Sequence, residues 1–119
     1  MQLVTSAEYE YIPAAGGNAK ADEPAVFVCK YLTPAQSDDA IKYHIESQGS
    51  TQITKTTINN DKLIRSSVKE IRNLDVDGEK IRTVAEFLRV EHPVADAMYK
   101  ELCAEIMTRN RVDGEKLKN

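Results

Sequence analysis

The run HPVADAMYKELCAEIMTRNRV, His92 to Val112, reads as one long amphipathic helix. Pro93 suits a first helical position, and His92 before it stands at the helix start. With side chains advancing about 100° per residue, Val94, Ala95, Met98, Tyr99, Leu102, Cys103, Ile106 and Met107 spread over about 220°, whereas a surface helix needs an apolar stripe somewhat wider than about 100°. Asp96 and Glu105 mark the margins and Arg109 intrudes in the last turn, so the well-cleared arc is nearer 140° by the same geometry. One side, centred on Leu102 and Ile106, is expected to pack on a sheet. The other margin, Tyr99, Cys103 and Met107, is expected to face a partner, and Met98, Tyr99, Leu102, Cys103, Ile106 and Met107 together form the candidate partner-binding set. The alternative is that the preceding stretch TVAEFLRVE, a short helix capped by Thr83 and Glu86, covers that margin with Phe87 and Leu88.

Upstream, AVFVCKYL (Ala25 to Leu32) reads as a central strand, with Phe27, Cys29 and Tyr31 on one face and Val26, Val28 and Leu32 on the other. Thr33, Pro34 and Gln36 then open a helix with a capping box. Ala40, Ile41, Tyr43 and His44 continue it, and Gly49 ends it. STQITKTTI fits helix or strand equally poorly. NNDKLIRSSVKEI gives a helix capped by Asn59 or Asn60, with Leu63, Ile64, Val68 and Ile71 on its apolar side.

The pentapeptide VDGEK occurs twice, at Val76–Lys80 and Val112–Lys116. In the first copy Asp77-Gly78 is a strong two-residue hairpin signal. In the second, Gly114 is expected to end the long helix. Asn73, Asp75, Asp77 and Gly78 also match the opening positions of a calcium loop, but Val84 stands where the loop needs a bidentate glutamate and Lys80 where it needs an apolar residue. The hairpin reading therefore prevails, and no metal site is expected.

These elements give an α+β fold: a small antiparallel sheet, around residues 25–32 and 69–83, packed against helices near 34–47, 60–69, 83–90 and 93–110. One domain over residues 1–119 fits the chain length. EYEYI (Glu8 to Ile12) alternates like a strand, yet PAAGGNAKADEP after it reads as a loop, so residues 1–24 are expected to be loosely ordered.

The net charge of −3 leaves no basic face for phosphates, which argues against nucleic-acid binding. Cys29 and Cys103 form no CxxC pair, and no apolar run reaches the roughly 18–20 residues of a membrane span. A reducing cytoplasm is the expected location. His44 and His92, the only histidines, lie in no HExxH motif, and no GxSxG or phosphate-cradling motif occurs. Gly16-Gly17 lacks the lysine of a phosphate loop. Cys103 with His92 could be drawn as a nucleophile pair, but the apolar helical face around Cys103 favours a structural thiol. No enzyme and no cofactor are expected.

The order of elements, above all KLIRSSVKEIRNLDVDGEKIRTVAEFLRVEHPVADAMYKELCAEI (Lys62 to Ile106), resembles the tail assembly chaperones of long-tailed bacteriophages. The resemblance covers roughly residues 25–119. It implies a non-enzymatic protein of the bacterial host cytoplasm that holds the helical tape-measure protein soluble while the tail tube polymerises, and that is absent from the finished virion. The tail tube protein is a further implied partner, and the wide face of the C-terminal helix is itself expected to self-associate when no partner is present. The competing expectation is a small virion structural subunit, a tail or head-completion component, built into a symmetric ring through extended β-surface.

Overall fold

The computed structural model describes Met1 and residues 7–118, with residues 111–118 as backbone alone. The fold is α+β. Its elements are β1 (Glu8–Tyr11), 3-10 turns at Ala15–Lys20, β2 (Val26–Lys30), α1 (Pro34–Ala40), β3 (Ile41–Gln48), β4 (Thr51–Ile58), α2 (Asn60–Ser67), β5 (Val68–Arg72), β6 (Leu74–Val76), β7 (Glu79–Ile81), α3 (Val84–Phe87) and α4 (Pro93–Lys118).

β2 is central, as its two apolar faces imply, and lies antiparallel between β1 and β5. Phe27, Val28 and Cys29 are all buried, the alternation being interrupted by a register shift at Val28/Cys29. Such an irregularity lets successive side chains turn inward. The core joins Phe27 and Cys29 to Leu63 and Ile64 of α2, Phe87 of α3 and Met98, Leu102 and Ile106 of α4. Phe27 and Phe87 meet edge to face at 5.0 Å between ring centroids, a favoured aromatic geometry.

Local signals are realised closely at the helix starts. Thr33 with Gln36 and Thr83 with Glu86 form reciprocal capping boxes, and the Asn59 side chain accepts from the Lys62 N–H at 3.1 Å. β6 and β7 pair across Val76 and Glu79, with Asp77 and Gly78 both at positive φ, 53° and 80°, so the first VDGEK is a tight hairpin turn.

Three expectations are corrected. The helix placed over 34–47 stops at Ala40, and Ile41–Gln48 is a strand paired along its whole length with β4. Ile41, Tyr43 and Ile45 alternate with Lys42, His44 and Glu46, the period of two of a strand, while the spacing of Ala40, Ile41 and His44 also continues a helix. The β-branched run after the Gly49-Ser50 turn supplies the partner, and tertiary pairing overrides the local helical preference. Second, Gly114 does not end the last helix, which runs on to Lys118; a glycine inside a helix costs only about 1 kcal/mol, and Glu115, Lys116 and Leu117 are good helix formers. Third, the 69–83 region is not one strand pair within the main sheet. Asn73, at φ 59°, separates β5 from a two-stranded β6–β7 sheet, which stays tied to β5 by the Ile71 N–H donating to the Arg82 carbonyl at 3.0 Å.

Residues 7–24 differ from the expected loose connection, while residues 2–6 of that segment lie outside the described residues. β1 adds to the sheet, and Tyr9 is buried with its hydroxyl 3.4 Å from the Ser67 hydroxyl. The Asn18 amide donates to the carbonyls of Pro13 and Ala25 and accepts from the Ala25 N–H at 2.7 Å. Glu101 of α4 accepts from the N–H groups of Ala14 and Ala15 at 2.9 and 3.0 Å. Gly16 is the close-approach point: φ is 65° and a Cβ there would lie 2.8 Å from Val94 Cγ1. Val94 is β-branched and cannot swing away cheaply. Gly16→Ala is expected to lower stability by about 1–3 kcal/mol through combined strain and overlap, read as a shifted urea midpoint, while Gly17→Ala meets no neighbour and costs the smaller strain alone. Equal effects at the two positions would remove the Gly16–Val94 contact from this account.

Candidate protein-binding surfaces

The six candidate partner-binding residues divide by depth. Leu102 and Ile106 have no exposed surface, and Met98 and Cys103 are nearly as buried. Only Tyr99 and Met107 are half-buried, and both pack against the same core. The wide arc of α4 is largely covered by its own chain, and by more than the α3 helix. α2 and the 3-10 turns pack on it. Asn110 reaches Leu32, accepting its N–H at 2.9 Å, and the Arg109 guanidinium stacks 4.6 Å from the Tyr9 ring centroid. Tyr99 donates to Asp61 of α2 at 2.7 Å; burial first, and then the adjoining carboxylate, push its phenol pKa well up.

Both thiols are core groups. Burial raises Cys29 and Cys103 to about 11, which keeps them protonated and poorly nucleophilic at neutral pH. His92 accepts the Val94 N–H on Nδ1 at 3.1 Å, so it acts as a helix cap, and it stands roughly 16 Å along the helix axis from Cys103. These two residues do not form a nucleophile pair. Among the described residues, no group of three or more His, Cys, Asp or Glu side chains converges in a way that could hold a metal ion, and no helix is long and apolar enough to cross a membrane.

Two surfaces stand out among the described residues. The first is a pair of adjoining concavities at the start of α4, about 230 Å³ and 320 Å³, sharing Val90 and Ala95 in their walls. Phe87, Leu88 and Tyr99 line one, and Leu74, Val76, Val94 and Met98 the other. Carboxylates ring this apolar floor: Asp61 and Asp96 at one end, Asp75 and Asp77 at the other. Met98 and Tyr99 are therefore the only members of the candidate set that line this opening. A larger concavity between β5 and β7 is lined by charges of both signs, Lys69, Arg72 and Arg82 against Glu23, Glu70 and Asp75, which favours solvated surface.

The second surface is the β3–β4 hairpin, which sequence reasoning missed. Every residue of β4 is exposed, as is most of β3. The register puts Tyr43, Ile45, Ser47, Gln52, Thr54, Thr56 and Ile58 on one uncharged face, with Tyr43 and Ile45 about two-thirds exposed. The opposite face carries Lys42, His44, Glu46 and Lys55, and Lys55 reaches Glu46 at 2.8 Å. The alternation in IKYHIES was the available signal. It went unread because the same residues also continue a helix.

No protein-family model, curated protein or solved structure matches this chain. Because both thiols are buried and protonated, a disulfide-exchange reagent is expected to label neither in the native protein at pH 7.5, with both reacting once urea unfolds it. Rapid native labelling of Cys103 would mean that this margin of α4 is open. Calcium is expected to leave the melting temperature unchanged, since binding to the folded state must raise it.

Proposed function

We propose that this chain is a non-catalytic protein-binding protein of phage tail morphogenesis, a chaperone that holds the tape-measure protein in the host cytoplasm. The observation that supports this reading is the apolar floor around Val90 and Ala95 with its aspartate rim. A floor of this kind takes the apolar stripe of a client helix, and the rim favours a client whose flanking residues are basic. Small concavities give a modest contact area, and interfaces well under about 1,200 Å² belong to the transient class. A chaperone must release its client, so a weak contact suits the role. The resemblance to tail assembly chaperones supplies the identity of the client; the site supplies only its chemistry.

The second reading, a small virion structural subunit, is favoured by the exposed β3–β4 hairpin, which offers extended β-surface for a permanent assembly. The two readings separate in one experiment. Co-expression with the tape-measure protein is expected to keep that protein in the soluble fraction, and Ala95→Glu, which puts a charge on the shared floor, is expected to remove the effect while the melting temperature moves little. Solubilisation that survives Ala95→Glu would place the binding surface elsewhere. Recovery of the chain in stoichiometric amounts from purified virions would replace the chaperone reading with the structural one.

A further inference from the structure

From the open edge of β3 we infer that this chain forms a two-fold dimer by antiparallel pairing of β3 with β3 of a second copy, with Ile45 on the axis. The inference rests on the hairpin alone and is independent of the chaperone reading. An isolated two-stranded hairpin is marginal in water, and here both of its outer edges are unpaired among the described residues; β4 has Lys55 as its single charge and offers a second copy no opposite-charge pair, whereas β3 carries His44 and Glu46.

The direction of the backbone groups sets which residues can pair. The Asn59 N–H donates to the Ala40 carbonyl at 2.8 Å, which extends the β3–β4 register by one step and makes the even-numbered residues of β3 the ones bonded to β4. The odd-numbered residues therefore point their N–H and C=O groups to the open edge. Ile41 is already engaged there, its N–H donating to the Ser37 carbonyl of α1. The free edge runs over Tyr43, Ile45 and Ser47, and its midpoint is Ile45.

A two-fold axis through Ile45 uses all of this edge and brings the Gly49-Ser50 tip of each hairpin level with Ile41 and Ala40 of the other copy, no further than the last residue of α1. Ile45 then faces Ile45 of the second copy, and Tyr43 faces Ser47, as hydrogen-bonded pairs. His44 faces Glu46 of the second copy in the closer, non-hydrogen-bonded spacing, where cross-strand side-chain contacts are strongest. Lys42 faces Gln48, and no like charges stand directly opposed. An axis through His44 would instead set imidazole against imidazole and push each hairpin tip toward α1. An axis through Tyr43 would oppose Lys42 to His44. Charge and available edge select the same register.

The resulting four-stranded sheet doubles the uncharged face, with Tyr43 and Ile45 of both copies in one central patch. Strand addition over so short an edge buries less than the roughly 1,200–2,000 Å² of a stable complex, so the dimer is expected in the micromolar range. It is self-complementary, as a closed two-fold contact requires.

Sedimentation velocity over a concentration series is expected to show monomer–dimer exchange. Ile45→Pro removes an N–H that bonds nothing within the monomer, an edge position where a strand tolerates proline, and is expected to raise the dissociation constant at least about tenfold while the circular-dichroism spectrum is kept. Ile45→Lys, which needs no backbone adjustment and sets like charges on the axis, is expected to do the same. With the native thiols buried, Ile45→Cys is expected to cross-link to itself under mild oxidation and Tyr43→Cys is not. A wild-type chain that stays monomeric across the series, a dimer that survives both Ile45→Pro and Ile45→Lys, or cross-linking through position 43 in preference to 45 would overturn the inference.

Discussion

The burial of Leu102 and Ile106 at the centre of α4 is the constraint on which the other packing depends. A helix with an apolar arc of about 220° cannot be satisfied by one neighbour, because a single layer contact covers a stripe somewhat over about 100°. This chain packs α2 and the N-terminal 3-10 turns on α4, adds Phe87 of α3 to the same core, and ties the later turns of α4 to Tyr9 and Leu32 through Arg109 and Asn110. One polar tie lies just outside the apolar arc and another, at Tyr99, lies within it. Glu101 takes the Ala14 and Ala15 N–H groups, and Asp61 takes the Tyr99 hydroxyl. Cover from so many directions turns an unusually apolar helix into an internal one.

Much of this was legible one helix turn or one hairpin at a time. Thr33, Thr83, Asn59 and Asp77-Gly78 each act through backbone groups within a few residues, so their sequence signals carried directly into structure. β2 was legible because both of its faces are apolar. AIKYHIES was not, since its spacing suits two periods and the choice rests on the STQITKTTI partner that pairs with it. The cover on α4 was illegible for a related reason: Gly16, Asn18 and Glu101 act over long sequence separations, and PAAGGNAKADEP has a composition that signals a loop whether or not something holds it. The candidate partner set inherited that error in part. Its deeper members are core residues, and only Met98 and Tyr99 line an opening.

The distribution of uncovered surface then follows. Phe27, Val28 and Cys29 of the main sheet and Met98, Leu102, Cys103 and Ile106 of α4 are internal, and the outer charges of the sheet, such as Arg72 with Glu70 at 2.6 Å, pair with each other on an exposed face, where such pairs add little stability. Among the described residues, the surfaces that offer apolar or unpaired backbone groups to other molecules include the acid-rimmed floor at Val90 and Ala95 and the β3–β4 hairpin. One is concave and suits a helix held weakly. The other is an open strand edge, which pairs with another strand. The two proposals, client capture and self-association, thus rest on separate elements of the fold.

The central claim, that the wide face of α4 is internal to this chain, is tested most directly by native-state hydrogen exchange of the backbone amides from Met98 to Ile106. These amides are expected to share the slowest rates in the protein with those of β2, opening only with global unfolding. Exchange of Met98–Ile106 that is faster than β2 and insensitive to global stability would contradict the account, because it would show α4 detaching from a core that persists without it.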